Sequence, residues 1–380
     1  MSVKKIMLVA GEASGDQHGA ELVHAFKKLN SNVTFYGVGG RNMRAAEVDI
    51  QVDCAQLAVM GFGDVVKHLP QLIKIFNQLK KSLAKNPPDL LILIDYPGFN
   101  LRLAKVAKQL GIKVLFYISP QVWAWRQGRV KKIAKVVDHM AVIFPFEVAF
   151  YKNQNVPVTY VGHPLTHVVK PSLSVETAKQ QFGILKNASV IGLLPGSRER
   201  EIQRLLPTML QAAEKIKTAL PNAQFILPVA STITPAMLQP YLAASQINII
   251  LVENQTYDAI NTCDAVIVSS GTATLETALL LKPMVIVYKV PTLAAMMLKH
   301  LVKIKNIGLC NVVAEKRIVP ELLQDDVTPD KLSTEILRML TDEVYRNNML
   351  EELKKVRDKL GVLNGSENVA KLALEMLKGS

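Results

Sequence analysis

Short, fully apolar runs rich in β-branched residues recur along this chain, each followed by small or turn-forming residues and then by apolar positions at helical spacing. Lys5 to Ala10 is the first, and Thr34 to Val38, Leu90 to Ile94, Lys113 to Ile118, Met140 to Phe144 and Thr159 to Val161 follow. Runs of this length predict strands buried on both faces, as in a parallel sheet. Pro157 to Ser174 interrupts the pattern with Pro157, Gly162-His163-Pro164 and Pro171, and reads as a linker. Beyond it the pattern restarts at Val190 to Leu194, Gln224 to Val229, Asn248 to Glu253, Ala265 to Val268 and Met284 to Val287, with helical segments between. Strands alternating with helices predict an α/β chain of two Rossmann-like, doubly wound halves. Their expected extents are 1–165 and 166–340, with the deepest concavity in an interdomain cleft. The tail is helical at Ser333 to Leu340, Asp342 to Leu360 and Ser366 to Leu377, and residues 341–380 are expected to pack back on the first domain or on a partner subunit.

The loops after the strands carry the chemistry, because ligands of open parallel sheets sit at the carboxyl ends of the strands. Asp264 to Tyr288 is the most informative stretch. Its strand runs into Ser269-Ser270-Gly271-Thr272, and a helical pattern follows until Pro283. A small-residue loop before a helix N-terminus makes an anion site, since orphan N–H groups and the helix dipole both favour a phosphate. Glu276 is placed in the first turn, within reach of a sugar hydroxyl; a capped βαβ unit with nothing bound is the plainer alternative. After the first strand comes Gly11-Glu12-Ala13-Ser14-Gly15-Asp16-Gln17-His18-Gly19, read as a turn that lets a ligand approach the backbone, with a helix from about Ala20 to Leu29. It is neither a GxGxxG nor a Walker loop, so it specifies no dinucleotide or triphosphate. Leu90 to Ile94 ends on Asp95, a candidate general base at a strand end. The competing role for Asp95 is a helix cap, and Asn100 can also fill that role.

Val65 to Leu83 predicts an amphipathic helix whose apolar residues include Leu69, Leu72, Ile73, Ile75, Phe76, Leu79 and Leu83. Lys67, Lys74, Lys80, Lys81 and Lys85 accompany them, and no acid stands between Asp64 and Asp89. Such a helix suits an anionic membrane surface; an ordinary packed helix with a solvated face fits the same pattern. Arg126, Arg129, Lys131, Lys132 and Lys135 form a second basic face after Trp123 and Trp125, whose simplest role is packing.

Composition narrows the classes. The chain has 380 residues, 49% hydrophobic and 20% charged, with a formal net charge of +13. No basic run interleaves with aromatics, so nucleic acid is not an expected partner. Cys54, Cys263 and Cys310 form no metal or disulfide pattern and fit a reducing compartment. The apolar run before Glu12 is too short for a signal peptide, and no segment approaches ~18 uninterrupted apolar residues. A soluble or peripheral protein is expected.

Taken together and in order, GEASGDQHGA at Gly11, LAVMGFGDVV at Leu57, DYPGFNLRLAK at Asp95, SPQVWAWRQGR at Ser119, VGHPL at Val161, LPGSRERE at Leu194 and SSGTATLE at Ser269 resemble the lipid-A-disaccharide synthases, the family 19 glycosyltransferases of Gram-negative bacteria. The resemblance runs from residue 6 to about residue 325. The sequence departs from the family at Asp64, where Glu is usual, and at Leu309-Cys310-Asn311, where Leu-Pro-Asn is common.

The resemblance implies a GT-B fold and an inverting transfer from UDP-2,3-diacylglucosamine to 2,3-diacylglucosamine 1-phosphate (lipid X). The products would be the β-1′,6-linked lipid A disaccharide 1-phosphate and UDP, made at the cytoplasmic face of the inner membrane. No metal and no cofactor are implied. Asp95 becomes the expected base, with His18 as its alternative. Arg198 and the Ser270-Gly271-Thr272-Ala273 loop are expected at the UDP phosphates and Glu276 at the ribose, while Ser14, Gly15 and Asn311 join the substrate-binding set. Leu69, Leu72, Ile73, Phe76 and Leu79 are assigned to the acyl chains and the membrane. The oligomeric state stays open, with a homodimer as one option. A UDP-N-acetylglucosamine 2-epimerase has the same architecture, and a non-enzymatic membrane module that senses nucleotide sugars is a third reading.

Overall fold

The computed structural model describes residues 3–30, 32–57, 62–120, 122, 127–291 and 306–378, with backbone alone over 62–68 and at 127. Expectations for Trp123, Trp125 and Arg126, for residues 58–61, and for the side chains of Asp64 and Lys67 fall outside the described residues. The chain forms two units, Met1–Pro164 with Val362–Ser380, and Leu165–Gly361.

The first unit is built on a parallel sheet of β1 (Lys4–Ala10), β2 (Val33–Gly39), β3 (Asp49–Asp53), β4 (Leu90–Ile94), β5 (Lys113–Tyr117), β6 (His139–Val142) and β7 (Val158–Tyr160), in the order β3-β2-β1-β4-β5-β6-β7. Helices α1 (Ala13–Leu29), α2 (Arg41–Ala45), α3 (Phe62–Lys85), α4 (Pro97–Gln109), α5 (Val130–Ile133) and α6 (Pro145–Lys152) connect the strands. The β1 side chains explain the unbroken apolar run. Ile6, Leu8 and Ala10 pack with Leu22 and Phe26 of α1, while Met7 and Val9 face Leu79, Leu103 and Ile133 of α3, α4 and α5. A strand covered on both faces has no solvent side to mark with polar residues.

Helix α1 begins at Ala13, not near Ala20, so most of the Gly-rich stretch is helix. Its glycines serve close packing. A Cβ on Gly15 would lie 3.2 Å from the Ala10 Cβ, and one on Gly19 would lie 2.5 Å from the Met43 sulfur. Asp16 is buried in the same helix, and its carboxylate accepts from the N–H groups of Gly40, Asn42 and Met43 at 2.6, 2.9 and 3.0 Å. It therefore caps α2 from a different helix. Strand β3 escaped the sequence reading because it is an edge strand with only Val52 fully buried, and its polar residues hide the run.

The second unit follows the same plan. Its strands β8 (Val190–Leu194), β9 (Gln224–Val229), β10 (Ile249–Glu253), β11 (Ala265–Ser269), β12 (Met284–Tyr288) and β13 (Glu321–Leu323) are ordered β10-β9-β8-β11-β12-β13, all parallel. Helices α7 (Leu165–Val168), α8 (Val175–Gln181), α9 (Glu199–Ala219), α10 (Pro235–Ala243), α11 (Thr256–Thr262), α12 (Thr272–Leu279), α13 (Leu309–Ala314), α14 (Pro329–Thr341) and α15 (Glu343–Leu360) complete it. The tail does not pack as one block. Met349 and Leu353 of α15 enter the second core, whereas Val369, Ala370, Ala373 and Leu377 of α16 (Gly365–Lys378) join the first. Each helix carries its own apolar stripe and follows the core that stripe can enter. Gly162, at φ +104°, lets the tail cross close by: a Cβ there would meet the Leu363 carbonyl oxygen at 2.5 Å.

Candidate active and nucleotide sites

In the second unit the winding reverses between β8 and β11, and the loops after these strands, 195–198 and 270–271, line a cavity of about 660 Å³. Helix α12 opens on it at Thr272, with no acid in its first turn and no side-chain cap. The N–H groups of Thr272 and Ala273 are those a helix leaves without intrahelical partners, and they carry the positive end of its dipole. Side chains brace the loop. The Ser270 hydroxyl donates to the Ile307 carbonyl at 3.2 Å, and the Thr274 hydroxyl donates to the Gly271 carbonyl at 2.8 Å.

The N-terminus of α9, on the same cavity, differs. Its Glu201 carboxylate accepts from the Ser197 and Arg198 N–H groups at 3.0 and 3.3 Å, and from the Arg198 guanidinium at 3.2 Å. That helix end already has its own anion, whereas the α12 end has no acid in its first turn and no side-chain cap. The Arg198 side chain is 82% exposed and lines the cavity. Glu276 lines it too, but with α12 starting at Thr272 it stands one turn deeper than the sequence suggested. Burial pushes its carboxyl above the usual range, partly offset by a hydrogen bond at 3.3 Å from the Tyr257 hydroxyl.

Lys170, Ser172, Ser231, Asn254 and Tyr257 also line the cavity and were missed in the sequence. Asn254 and Tyr257 follow strand β10 and were open to the strand-end rule. Lys170 and Ser172 had no such signal. Ser172 is held there by Asp258, which accepts from the Ser172 N–H and hydroxyl, both at 2.7 Å, and from the Leu173 N–H at 2.8 Å.

Asn311 requires a correction. It is fully buried, its amide donates to the Val319 carbonyl at 2.9 Å and to Glu321 at 2.8 Å, and its oxygen accepts from the Ile318 and Val319 N–H groups at 2.8 and 3.0 Å. These bonds use both amide protons and both lone pairs, which leaves nothing for a ligand. Asn311 is a structural residue that fixes the chain before β13.

In the first unit the winding reverses between β1 and β4, and Asp95 and the start of α1 meet there. Ala10 pairs with Ile94, so Gly11 abuts the turn after β4; a Cβ on it would lie 2.4 Å from the Tyr96 ring. Asp95 and Tyr96 both hold φ +47°, and Ile118, after β5, holds φ +64°. Left-handed backbone is costly for such residues, more so when β-branched, and strain of this kind collects at functional sites.

Asp95 does not cap α4; Tyr96 holds that position without a side-chain bond. Nor does Asn100, whose buried amide donates to the carbonyls of Asp95, Ile94 and Val9 at 2.7, 3.2 and 3.4 Å. Burial raises the Asp95 carboxyl above its usual range; the Tyr96 N–H opposes this, the Glu12 carboxylate adds to it, and His18 lowers it slightly. His18 stacks edge-on to Tyr117 at 6.2 Å, with Nδ1 3.6 Å from Glu21. Ser14 and Gly15 sit in the first turn of α1, Ser14 exposed and Gly15 buried. These residues belong to the first unit, while Arg198, Ser270 to Ala273 and Glu276 belong to the second.

Helix α3 divides its apolar residues by depth. Ile75, Leu79 and Leu83 are buried at helical spacing, and Phe76 packs edge-on against Phe99 at 5.6 Å with Leu72 also against the core. Leu69 and Ile73 are 45% and 53% exposed. Leu79 is therefore corrected from an acyl-facing to a core residue, because its face of α3 meets the sheet. No helix among the described residues is long and apolar enough to cross a membrane.

Comparison with solved structures shows the fold. A UDP-N-acetylglucosamine 2-epimerase from Neisseria meningitidis, bound to UDP-N-acetylglucosamine, aligns with TM-score 0.63 at 13% identity, over 99% of this chain and 100% of that one. The calicheamicin glycosyltransferase CalG4 aligns with TM-score 0.63 at 13% identity, over 100% of this chain and 99% of that one. At that identity both indicate the two-Rossmann GT-B architecture alone. Relatives by sequence are more specific. The lipid-A-disaccharide synthase of Geobacter metallireducens is 50% identical over 98% of this chain and 97% of its own length. That of Trichlorobacter lovleyi is 48% identical over 99% and 98%. The family model described as lipid-A-disaccharide synthetase matches residues 6–374, through both sheets and into the last helix. With that match and near-half identity along the whole length, the chain belongs to the lipid-A-disaccharide synthetase family.

Proposed function

We propose that this chain transfers the diacylglucosamine of UDP-2,3-diacylglucosamine to the 6-hydroxyl of 2,3-diacylglucosamine 1-phosphate, giving the β-1′,6-linked disaccharide 1-phosphate and UDP. The family match across both units carries this reading. In the transfer the acceptor oxygen gives its proton to Asp95 and forms the new bond to the anomeric carbon. The bond to UDP breaks on the opposite face, and UDP leaves with its electron pair. The configuration inverts, and no covalent intermediate forms on the protein. The diphosphate lies on the α12 N-terminus with Arg198 adding charge, and Glu276 accepts from the ribose hydroxyls. The acid-free first turn of α12 and the half-buried Glu276 support these roles.

Incubation with the two acylated sugars and mass detection of the disaccharide tests the reading. UDP binding without turnover would leave a nucleotide-sugar sensor, and a manno epimer from UDP-N-acetylglucosamine would favour the epimerase. Arg198→Ala is expected to weaken UDP binding by roughly ten- to a hundredfold, since a hydrogen bond from a charged donor contributes about 1.5–3 kcal/mol. An unchanged dissociation constant in calorimetry would remove Arg198 from the site.

We further infer peripheral attachment to the cytoplasmic face of the inner membrane, with Leu69 and Ile73 as the inserting side chains. Ile73→Ser is expected to lower partition onto vesicles of mixed acidic and neutral phospholipid and to leave the unfolding midpoint nearly unchanged, because that side chain is 53% exposed. Partition that ignores the change would make α3 an ordinary packed helix.

A further inference from the structure

A second groove, of about 770 Å³, lies in the first unit between α4 and the segment through α5. Among the described residues its walls carry six cations, Arg102, Lys105, Lys108, Arg129, Lys132 and Lys135, and no carboxylate. Lys108 pairs with Asp138 behind the groove, whereas Arg102, Lys105, Lys132 and Lys135 make no ion pair among the described residues. Pro97, Leu101 and Val136 supply apolar lining, and their side chains are half-buried. Two independent features therefore coincide: a concentrated positive rim and an apolar bed beneath it.

We propose that this groove binds an acidic phospholipid of the membrane surface, with its phosphate on the lysine rim and part of an acyl chain along Leu101 and Val136. Charge complementarity selects an anion, because the like charges of Arg102, Lys105, Lys132 and Lys135, which have no ion pair among the described residues, repel one another around one concavity until an anion enters. The apolar bed selects an amphiphile over free phosphate. A nucleic acid fits less well, since no aromatic side chain among the described residues lines the groove to stack a base. Helices α4 and α5 lie on the same face of the sheet as α3, the helix on which Leu69 and Ile73 are exposed. The proposal rests on the membrane attachment argued above and adds to it a headgroup-selective site.

The test compares the full-length protein with Lys105→Gln/Lys132→Gln/Lys135→Gln, and with a charge-matched control, Lys28→Gln/Lys186→Gln/Lys354→Gln. All six lysines are exposed, and each variant lowers the formal charge by three. Thermal unfolding and UDP affinity check that both variants fold. Sedimentation is measured with vesicles of phosphatidylcholine alone and of phosphatidylcholine with phosphatidylglycerol. A lysine close to an anionic surface contributes roughly fivefold to partition, so the groove variant is expected to lose about a hundredfold on the acidic vesicles. The control is expected to lose less than about fivefold, neutral vesicles are expected to show little difference, and millimolar inorganic phosphate is expected not to displace the wild type. Equal losses in both variants would overturn the proposal in favour of net charge alone. Displacement by inorganic phosphate would reduce the groove to an anion site, and an oligonucleotide that outcompetes acidic vesicles for the wild type only would reassign it to nucleic acid; either result overturns the lipid. None of these readouts depends on turnover, so failure of the transferase reading and failure of this one are separable.

Discussion

Asp95→Asn is expected to lower kcat by at least about 10²-fold, the lower end of what a positioned general base contributes. The substitution keeps the shape of the side chain and removes its basicity. UDP affinity is expected to stay near wild type, because the cavity proposed for the nucleotide is lined, among the described residues, by second-unit residues alone. The pH profile gives an independent readout. Burial holds the Asp95 carboxyl above its ordinary value, and a base acts only when ionised. Activity is therefore full above that raised pKa and falls as pH drops through it, and Asp95→Asn should abolish this acid limb. Stability moves the other way. Between the unfolded and folded pKa values the native state holds the extra proton, so stability falls as pH rises through that window. At neutral pH the Asn variant is then expected to be at least as stable as the wild type. If Asp95→Asn kept most of its turnover while His18→Ala lost it, the base would be His18.

Asn311→Ala is expected to destabilise the protein by about 4 kcal/mol, with UDP affinity measured at low temperature little changed. The side chain makes four hydrogen bonds in a fully buried setting. Its removal strands the Ile318 and Val319 N–H groups and the Val319 carbonyl, and each buried unsatisfied group costs about 1–3 kcal/mol. Glu321 also loses a donor, although the Ile307 and Gly308 N–H groups still serve it at 2.9 to 3.1 Å. Denaturant unfolding provides the measurement. A stable variant with a UDP dissociation constant raised tenfold or more would return Asn311 to the binding site.

The two predictions differ in how they became visible. Asp95 was legible from position alone: an apolar run of five residues ending on a carboxylate marks a buried strand and its carboxyl end. Asn311 was placed by family resemblance, and only its hydrogen-bond partners, seven to ten residues ahead, showed a structural task. The Gly-rich stretch misled for a related reason. Glycine has one spelling for two uses, a turn that needs unusual backbone angles and a helix face that needs room. Gly15 and Gly19 are of the second kind, which depends on Ala10 and Met43 being adjacent in space.

The order of apolar runs and breaks by itself determined two α/β halves, a break near residue 165, and which loops follow strand ends. Those features follow from local periodicity and from the need to bury both faces of a parallel strand. The tertiary structure alone decided which residues gather around each cavity, as when Asp258 draws Ser172 to the second-unit cavity from 86 residues away. It alone divided α3 into a core face at Leu79 and an exposed pair at Leu69 and Ile73, and sent α15 and α16 to different units. Amphipathicity shows that a helix has an apolar side; what that side meets depends on contacts distant in sequence, which no local pattern encodes.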